Sequence, residues 1–403
     1  MFRITIAVSL VFSACLAAQG KNVLMYGNSF LNYNAGAGVG LRKIAEEAGF
    51  ATPNVYERFV SSSGLAFHAT DPVQVGTITN TLPAGQQWDA VVMQGQSLEA
   101  TNTLGNPQLF RSSAVAITAN VLNHSPNAKA VLAQTWARGQ GHHLYLGTFA
   151  SALTMHGEIH DNYHLAAQDI DAAFGAGTAK VARAGDGVAL QEFTPAAYAT
   201  DLFHPGPRTT LLTSMCLFTS IYEQRICDIS ANLSFGSPLW GWLNFIGLSA
   251  ADWDAMAAIA DRCADPSLRP FPGSGDQLLL ESGNPPGPTN ACGHVAVGAG
   301  DYLVLQLTSR NGVYDQAPAV LLATAFVNGA PPSPFPSLPE LHVDPTNMFV
   351  LQSTPSPPAT IFTVVPFSLP GLSLLVQAVA FAPSTASGHP GLTTTEGHVI
   401  EFQ

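Results

Sequence analysis

The sequence is poor in charge, and above all in positive charge. Only 10% of its 403 residues are charged, and 27 acidic residues against 15 Lys and Arg give a formal net charge of −12. Such a surface repels phosphate backbones because it offers few cations to neutralise them. The composition therefore predicts no nucleic-acid partner and a surface made largely of uncharged polar residues, Gly and Pro.

Long apolar runs are missing after the first twenty residues, so no later stretch reaches the roughly eighteen apolar residues of a membrane span. The opening segment has an early Arg3, an apolar centre and small residues around Ala17 and Ala18. This layout is typical of a secretory signal peptide. We expect residues 1–18 to be removed and the mature chain to be exported, either secreted, periplasmic or at the cell surface. Lipid anchoring at Cys15, in the stretch "FSAC", is an alternative.

Cysteine is scarce as well. Four cysteines lie beyond the predicted signal peptide: Cys216, Cys227, Cys263 and Cys292. An even number in an oxidising compartment favours disulfides, and four cysteines allow three pairings. Cys216 and Cys227 are predicted to share one helix, about 16 Å apart, which is too far to bridge. We expect the pair Cys263 and Cys292, because these two residues flank the predicted domain junction.

From residue 21 to about 262, strand-like apolar runs alternate with helical patterns. The runs are "NVLMY", "NVYERFV", "WDAVVMQ", "AKAVLAQTW" and "AKVARAG". Between the first two, Leu41, Ile44, Ala45 and Ala48 recur at helical spacing. Continuous apolar strands between helices favour a parallel sheet covered on both faces. The sequence predicts a three-layer α/β domain with five parallel strands over residues 21–262.

The composition changes after this region. Residues 266–403 contain proline-rich stretches such as "GNPPGPTN" and "GAPPSPFPSLPE" between the runs "YLVLQL", "AVLLATAFV" and "LSLLVQAVAFA". Prolines at this density break helices, whereas the apolar runs have the length of strands. We predict an all-β, sandwich-like accessory domain.

Polar groups suited to chemistry follow the predicted strands of the α/β region. They are Ser29 in "GNSF", Gly64 in "SSSGLAFH", Gln94 and Gln96 in "QGQS", and Asp201 and His204 in "DLFHP". In an open parallel sheet, ligands bind beyond the carboxyl ends of the strands. We therefore expect these groups to meet at one edge of the sheet.

These stretches resemble the motif blocks of the SGNH hydrolases, also called GDSL-type esterases. "GNSF" matches the first block, with Asn28 in place of the usual aspartate, and "DLFH" followed by Pro205 matches the last block. The third block, usually Gly-x-Asn-Asp, corresponds to "QGQS", and the second supplies a glycine. The resemblance covers residues 22–262 and implies a flavodoxin-like fold.

The resemblance also implies site roles that agree with the chemistry of the groups. Ser29 is the expected nucleophile, His204 the base that takes its proton, and Asp201 the carboxylate that fixes the histidine tautomer. The expected oxyanion donors are the amides of Ser29 and Gly64 and the side chain of Gln96, with the side chain of Gln94 as the competing choice. No cofactor and no metal is implied.

By family analogy we expect an exported ester hydrolase that works through an acyl-enzyme and removes small acyl groups, above all acetyl groups, from carbohydrate or other small esters. The strand-turn-helix at Ser29 is not the "GxSxG" elbow of α/β hydrolases. Two alternatives stay open. One is a non-catalytic surface or matrix protein that binds a glycan or a partner through its β domain, and the other is a lipase or acyltransferase on the same fold.

A histidine-rich stretch follows the fourth predicted strand. His156, His160 and His164 recur at i, i+4 and i+8, a spacing that can hold a divalent metal. We favour a polar helix face or a substrate-facing loop, because esterases of this kind need no metal and because Gly157 and Asn162 weaken a helix.

Four further residues lie close to the predicted strand ends without an assigned role. Trp136 and Arg138 in "QTWARG" either line a pocket or belong to the scaffold. His68 and Glu99 follow Gly64 and "QGQS".

Overall fold

The computed structural model describes residues 20–275, 278–284, 292–309, 312–344, 346–354, 356–366, 369–384 and 387–403. The predicted signal peptide and Cys15 lie outside the described residues. Within the described part, no helix is long and apolar enough to cross a membrane.

Five parallel strands form the central sheet of the N-terminal part, in the order β2-β1-β3-β4-β5. This strand order is that of flavodoxin-like folds. The predicted parallel five-stranded α/β fold is confirmed. The strands are β1 (Asn22–Gly27), β2 (Asn54–Phe59), β3 (Ala90–Met93), β4 (Lys129–Ala133) and β5 (Ala179–Ala182).

The central strands are buried because helices cover both faces of the sheet. Every residue of β1 and β3 is buried, whereas the edge strand β2 has exposed positions. On one face α8 packs against α2 and α10, and on the other α5 packs against α3 and α6. The helices are α1 (Ser29–Asn32), α2 (Ala37–Glu47), α3 (Leu65–Thr70), α4 (Pro72–Asn80), α5 (Pro107–His124), α6 (Ala152–Phe174), α7 (Ala184–Leu190), α8 (Pro207–Tyr222), α9 (Pro238–Phe245) and α10 (Ala250–Cys263).

The C-terminal part is built of strands, as predicted. A six-stranded sheet has the order β10-β9-β12-β14-β7 with β13 paired to β12, and a three-stranded sheet has the order β11-β8-β6. Within these two sheets, neighbouring strands are antiparallel, except for β14 and β7, which are parallel. The sequence did not predict this parallel pair. The strands are β6 (Leu278–Gly283), β7 (His294–Val297), β8 (Tyr302–Ser309), β9 (Ala319–Val327), β10 (Met348–Thr354), β11 (Ala359–Val364), β12 (Leu372–Ala380), β13 (Thr393–Thr394) and β14 (His398–Phe402).

The two sheets of the C-terminal part share one apolar core. Leu280 and Leu305 of the three-stranded sheet and Leu321, Val376 and Ile400 of the six-stranded sheet are buried in the same cluster. Alternate residues of β8, namely Leu303, Leu305 and Leu307, lie in this core between the two sheets, which is the packing of a β-sandwich.

A disulfide joins the two parts of the chain, and the expected pairing is wrong. Cys227 is bonded to Cys292, with their Cα atoms 5.6 Å apart, and Cys263 is a buried free thiol. The helix that was expected to contain Cys227 ends at Tyr222, because Glu223 adopts a left-handed conformation with φ 55°. Cys227 therefore leaves the helix axis and reaches the β part.

Candidate functional site

Ser29 is the first residue of α1, directly beyond the carboxyl end of β1. Asn28 caps this short helix, since its Oδ1 accepts a hydrogen bond from Phe30 N at 3.1 Å. Asn is among the preferred residues at this capping position. The turn after β1 thus places the Ser29 hydroxyl at the rim of the sheet.

The segment Asp201–His204 forms a tight turn before α8. Asp201 Oδ1 accepts hydrogen bonds from the backbone N–H groups of Phe203 and His204, each at 2.9 Å. Leu202 has a φ of 57°, which lets the chain reverse within the turn. The second oxygen, Oδ2, lies 2.7 Å from His204 Nδ1. One short segment therefore carries both the carboxylate and the imidazole, already oriented towards each other.

The structure brings Ser29 and His204 together although 175 positions separate them. Ser29 Oγ lies 3.0 Å from His204 Nε2. With its proton on Nδ1 and directed at Asp201, the His204 ring presents the lone pair of Nε2 to the serine hydroxyl. Burial of Asp201 raises the pKa of its carboxyl, but the hydrogen bonds from His204 and the backbone outweigh burial, and the pKa lies below its ordinary value. Asp201 is therefore ionised at neutral pH.

Aromatic rings hold the His204 imidazole in place. The Tyr33 ring stacks on it with 4.5 Å between centroids and an angle of 9°. Phe203 lies at 4.2 Å on another side, and Phe30 meets the imidazole edge-on at 5.6 Å. Contacts on several sides restrict rotation of the ring, so Nε2 stays directed at Ser29.

Trp136 and Arg138 are scaffold residues beneath this loop. Trp136 donates a hydrogen bond from Nε1 to the Phe203 carbonyl at 3.2 Å. The Arg138 guanidinium lies 3.8 Å from the centre of the Phe203 ring and donates to Ser97 Oγ at 2.8 Å. Burial lowers the pKa of Arg138 to about 10. Trp136 is 1% exposed and Arg138 is 5% exposed. The two side chains therefore support Phe203 from the protein interior and do not line an open pocket.

Asn28 also connects the three loops that carry the expected oxyanion donors. Its Nδ2 donates hydrogen bonds to the Ser63 carbonyl at 3.0 Å and to the Gly95 carbonyl at 3.4 Å. The residues that directly follow Asn28, Ser63 and Gly95 in the sequence are the three expected oxyanion donors, Ser29, Gly64 and Gln96. The hydrogen bonds of Asn28 therefore bring the loops of all three expected donors to one place, which an aspartate at this position could not do.

Glu99 connects the second and third of these loops. Its carboxylate accepts hydrogen bonds from Leu65 N at 3.0 Å and from Gln96 N at 2.9 Å. A Cβ on Gly64 would lie only 2.6 Å from a Glu99 oxygen, so a larger residue here would displace the Glu99 carboxylate from its present position. Burial raises the pKa of Glu99, although the backbone N–H groups oppose this shift. Glu99 thus has a positioning role that its place in the sequence did not reveal.

The two glutamines of "QGQS" differ in their surroundings. Gln94 is 1% exposed, its Oε1 accepts from Asn28 N at 3.1 Å, and its Nε2 contacts the Gly95 carbonyl. Gln96 is partly exposed, its Oε1 accepts from Leu98 N at 2.8 Å, and its Nε2 lies 3.2 Å from Ser97 Oγ. Gln94 is therefore fixed inside the turn, whereas the Gln96 amide lies at the surface of its loop.

His68 supports the turn from the core side. Its Nε2 lies 3.0 Å from Ser63 Oγ and 3.1 Å from the Gly27 carbonyl, and the side chain is 1% exposed. It is therefore part of the scaffold under Ser29. Burial lowers the pKa of His68, so the ring is neutral at pH 7.

The histidine-rich stretch lies on α6, which runs unbroken from Ala152 to Phe174. Gly157 and Asn162, which were expected to weaken this helix, do not interrupt it. A single Gly costs about 1 kcal/mol in a helix, and the buried face of α6, which includes Ile159 and Tyr163, offsets that cost. Asn162 donates to the Glu158 carbonyl of its own helix at 2.9 Å.

Three contributors to the site escape sequence reasoning. Tyr33 lies outside every motif block, and its stacking on His204 depends on how the loop after α1 folds back. The roles of Glu99 and Arg138 are visible only once separate loops have been brought together. A charged residue three positions after Gln96, in a chain with few charges, is the one signal that could have singled out Glu99.

The fold and these contacts define a three-layer α/β protein with a serine, a histidine and an aspartate in hydrogen-bond contact at the carboxyl edge of its sheet. No protein-family model matches the chain, and no curated protein does. Among solved structures, 43 chains match. Several of these structures are named as an SGNH hydrolase, a GDSL-like lipase or carbohydrate esterases.

Three of the similar structures illustrate this likeness. A protein proposed to be an SGNH hydrolase from Slackia heliotrinireducens is 22% identical, with a TM-score of 0.40, covering 50% of this chain and 100% of that chain. A DUF4886 family protein from Bacteroides uniformis is 14% identical, with a TM-score of 0.46, covering 61% and 95%. A carbohydrate esterase family 3 protein from Talaromyces cellulolyticus is 12% identical, with a TM-score of 0.38, covering 52% and 100%. At these identities the likeness concerns the fold.

Proposed function

We propose that the chain is a serine ester hydrolase of SGNH type. The observation that carries the proposal is the pair of contacts made by His204, with Ser29 Oγ 3.0 Å from Nε2 and Asp201 Oδ2 2.7 Å from Nδ1. This is the arrangement that turns a serine hydroxyl into a nucleophile, because the base lies within reach of the proton and is itself oriented by a carboxylate.

The proposed reaction has two steps. Ser29 Oγ attacks the ester carbonyl carbon while His204 Nε2 takes the hydroxyl proton, and the tetrahedral intermediate then expels the alcohol, which leaves with that proton. Water next attacks the acyl-serine with His204 again as the base, and the acid is released. Asp201 stabilises the imidazolium in both steps without accepting the proton.

The proposed oxyanion hole consists of the amides of Ser29 and Gly64 with the side chain of Gln96. One such donor typically lowers the barrier by about 3 kcal/mol. Gln96 is preferred over Gln94 because the Gln94 amide is buried in contacts with Asn28 and Gly95. The Gln96 amide needs only to leave the Ser97 hydroxyl to meet a substrate.

The proposed substrates are small acyl esters, with acetyl groups on a carbohydrate as the preferred case. The resemblance to exported SGNH members supports this choice. The Tyr33 ring, 38% exposed and stacked on His204, offers a flat apolar surface beside the reacting groups. A panel of p-nitrophenyl esters of increasing acyl length separates an acetylesterase from a lipase, and added alcohol acceptors reveal an acyltransferase.

Replacing the nucleophile tests the proposal. Ser29→Ala is expected to lower kcat for p-nitrophenyl acetate by at least about a thousandfold and to abolish labelling by a fluorophosphonate probe. Ser112→Ala removes an exposed serine on α5 and should leave both unchanged. If the folded wild-type chain is not labelled, the catalytic proposal is wrong and a binding protein becomes the better description.

An observation on the β part favours a second, binding function. The rings of Tyr302 on β8 and Phe362 on β11 stack at 5.1 Å, and the two residues are 45% and 60% exposed. Exposed stacked aromatics suit contact with the apolar faces of sugars, so we also propose that this sheet binds a glycan. Loss of polysaccharide binding in Phe362→Ala, with Phe381→Ala as the matched exposed control, would support this function, and equal binding would contradict it.

Two further proposals concern the organisation and location of the chain. Residues 21–262 and 266–403 are proposed to be separate domains, which is supported by their separate apolar cores. Export of the chain is supported by the disulfide between Cys227 and Cys292, because such bonds persist in oxidising compartments.

A further inference from the structure

A second cluster of chemically active side chains lies on α6 and α7. Asp186 Oδ1 is 3.3 Å from His156 Nε2 and 2.9 Å from His160 Nδ1. One ligand atom from each of these three residues lies within 4.8 Å of the other two. Two imidazoles and a carboxylate from different helices therefore converge on one point.

The distances of 3.3 and 2.9 Å from Asp186 Oδ1 to the two imidazole nitrogens are close to the spacing of ligands around a transition metal ion. Zinc binds histidine nitrogen and carboxylate oxygen at about 2.0–2.2 Å, so tetrahedral ligands lie about 3.3 Å apart. His156 and His160 stand at i and i+4 on α6, which places both rings on one helix face. Imidazoles select transition metals over magnesium or calcium, which prefer oxygen ligands.

The carboxylate of Asp186 is oriented by partners outside the cluster. Arg183 Nε donates to Oδ2 at 2.6 Å, and Gln134 Nε2 donates to Oδ1 at 2.8 Å. Arg183 therefore binds Oδ2. One lone pair of Oδ1 accepts the hydrogen bond from Gln134, and the second lone pair is left for the imidazoles or for an ion between them. Outer partners of this kind fix the orientation of metal ligands.

The cluster opens onto a cavity of about 750 Å³ at the junction of the two parts of the chain. His164, one turn further along α6, lines the same cavity, as do Leu278 and Thr394 of the β part. His164 Nε2 is buried and makes no hydrogen bond to any described residue. Three protein ligands beside such a cavity leave a coordination position for water or a small ligand.

We propose that His156, His160 and Asp186 bind a divalent first-row transition-metal ion, with Zn²⁺ as the best match, and that its open coordination position faces this cavity. The site is separate from the ester hydrolysis proposed for Ser29, which uses none of these residues. The competing account is that the two imidazoles only hydrogen-bond to Asp186 and bind no ion.

Zinc titration of the full chain tests this site. After treatment with a chelator, isothermal titration calorimetry with ZnCl₂ should show one ion per chain, and MgCl₂ should give no heat of binding. His160→Gln keeps a hydrogen-bond donor for Asp186 but removes the ligand nitrogen, so the zinc affinity should fall by more than about 100-fold. His142→Gln, in the segment before α6, is the matched control and should bind zinc like the wild type.

Two outcomes overturn the proposal. They are the absence of zinc uptake by the wild-type chain, and equal affinity of the wild type and His160→Gln. Circular dichroism shows whether the variant is folded, and if it is not, the visible spectrum of the Co²⁺-loaded wild type decides. Bands typical of four-coordinate cobalt are expected, and the spectrum of hydrated cobalt would contradict the site. Because none of these readouts is ester hydrolysis, failure of the proposed function leaves this test intact.

Discussion

The side-chain amide of Asn28 donates a hydrogen bond to the main-chain carbonyl of Ser63 at 3.0 Å, which connects the loop of the proposed nucleophile to the loop of a proposed oxyanion donor. The same nitrogen reaches the Gly95 carbonyl at 3.4 Å. SGNH hydrolases usually have an aspartate at this position, and a carboxylate cannot donate. The organisation of the site in this chain therefore depends on a residue in which it differs from the family that its sequence resembles.

Replacing Asn28 by Asp is expected to destabilise the chain. The carboxylate would still cap α1, but it would face two carbonyl oxygens without a proton to share, which costs about 1–3 kcal/mol of unfolding free energy. Urea denaturation measures the change. Asn32→Asp alters an exposed residue of the same helix and should cost far less. Equal stability of Asn28→Asp and the wild type would show that these two hydrogen bonds contribute nothing.

The stacking of Tyr33 on His204 is expected to affect catalysis through the orientation of the imidazole. Tyr33→Leu removes the ring, and kcat/KM for p-nitrophenyl acetate should fall about two- to tenfold, as expected for the loss of an aromatic contact. Tyr33→Phe keeps the ring and should retain wild-type activity. If the Tyr33→Leu and Tyr33→Phe variants have the same kcat/KM, the stacked ring has no role in orienting His204.

The disulfide between Cys227 and Cys292 is expected to stabilise the chain, because it closes a loop with a sequence separation of 65. Replacing both residues by Ser should lower the free energy of unfolding by about 2–4 kcal/mol. Reduction of the wild type should have the same effect as the double substitution. Peptide mapping without reductant provides the direct check, and a peptide linking Cys263 to Cys292 would contradict the structure.

The α/β fold could be predicted because its strands carry a strong local signal. β1 and β3 are buried along their whole length, and their uninterrupted apolar residues indicate central strands of a parallel sheet. The parallel pairing of β14 with β7 has no such signal, since it joins segments that are far apart in sequence.

The disulfide between Cys227 and Cys292 could not be predicted because the sequence gives no clear signal for the end of α8. Glu223 ends α8 in a left-handed conformation, which residues other than Gly, Asn and Asp rarely adopt. If α8 is assumed to continue beyond Tyr222, Cys227 is predicted to be part of the helix.

The site could be predicted only where its chemistry is local. Asp201 and His204 contact each other within one turn, and Ser29 lies two residues after the end of β1, so motif and position agree. Glu99 and Asp186 act on residues brought to them by the fold. For Asp186, the two histidines at helical spacing were visible in the sequence, but the third residue of the cluster lies on another helix.

The contact between Arg262 and Glu396 is expected to make stability depend on acid pH. Glu396 Oε1 accepts from Arg262 Nε at 3.0 Å, which connects α10 to the β part. Burial alone would raise the pKa of Glu396, but the neighbouring His398 and Arg262 outweigh it and lower the pKa from 4.5 to about 2. Because the unfolded chain takes up the proton more readily, the contribution of Glu396 is fully present above pH 4.5 and is lost as the pH falls towards about 2. A shift of this size corresponds to about 3 kcal/mol.

Urea denaturation across this pH range should therefore show a steeper loss of stability towards acid pH for the wild type than for Glu396→Gln. Glu192→Gln, at an exposed position, should follow the wild type. Parallel curves for wild type and Glu396→Gln would mean that Glu396 does not hold an unusually low pKa and that its ion pair contributes no pH-dependent stability.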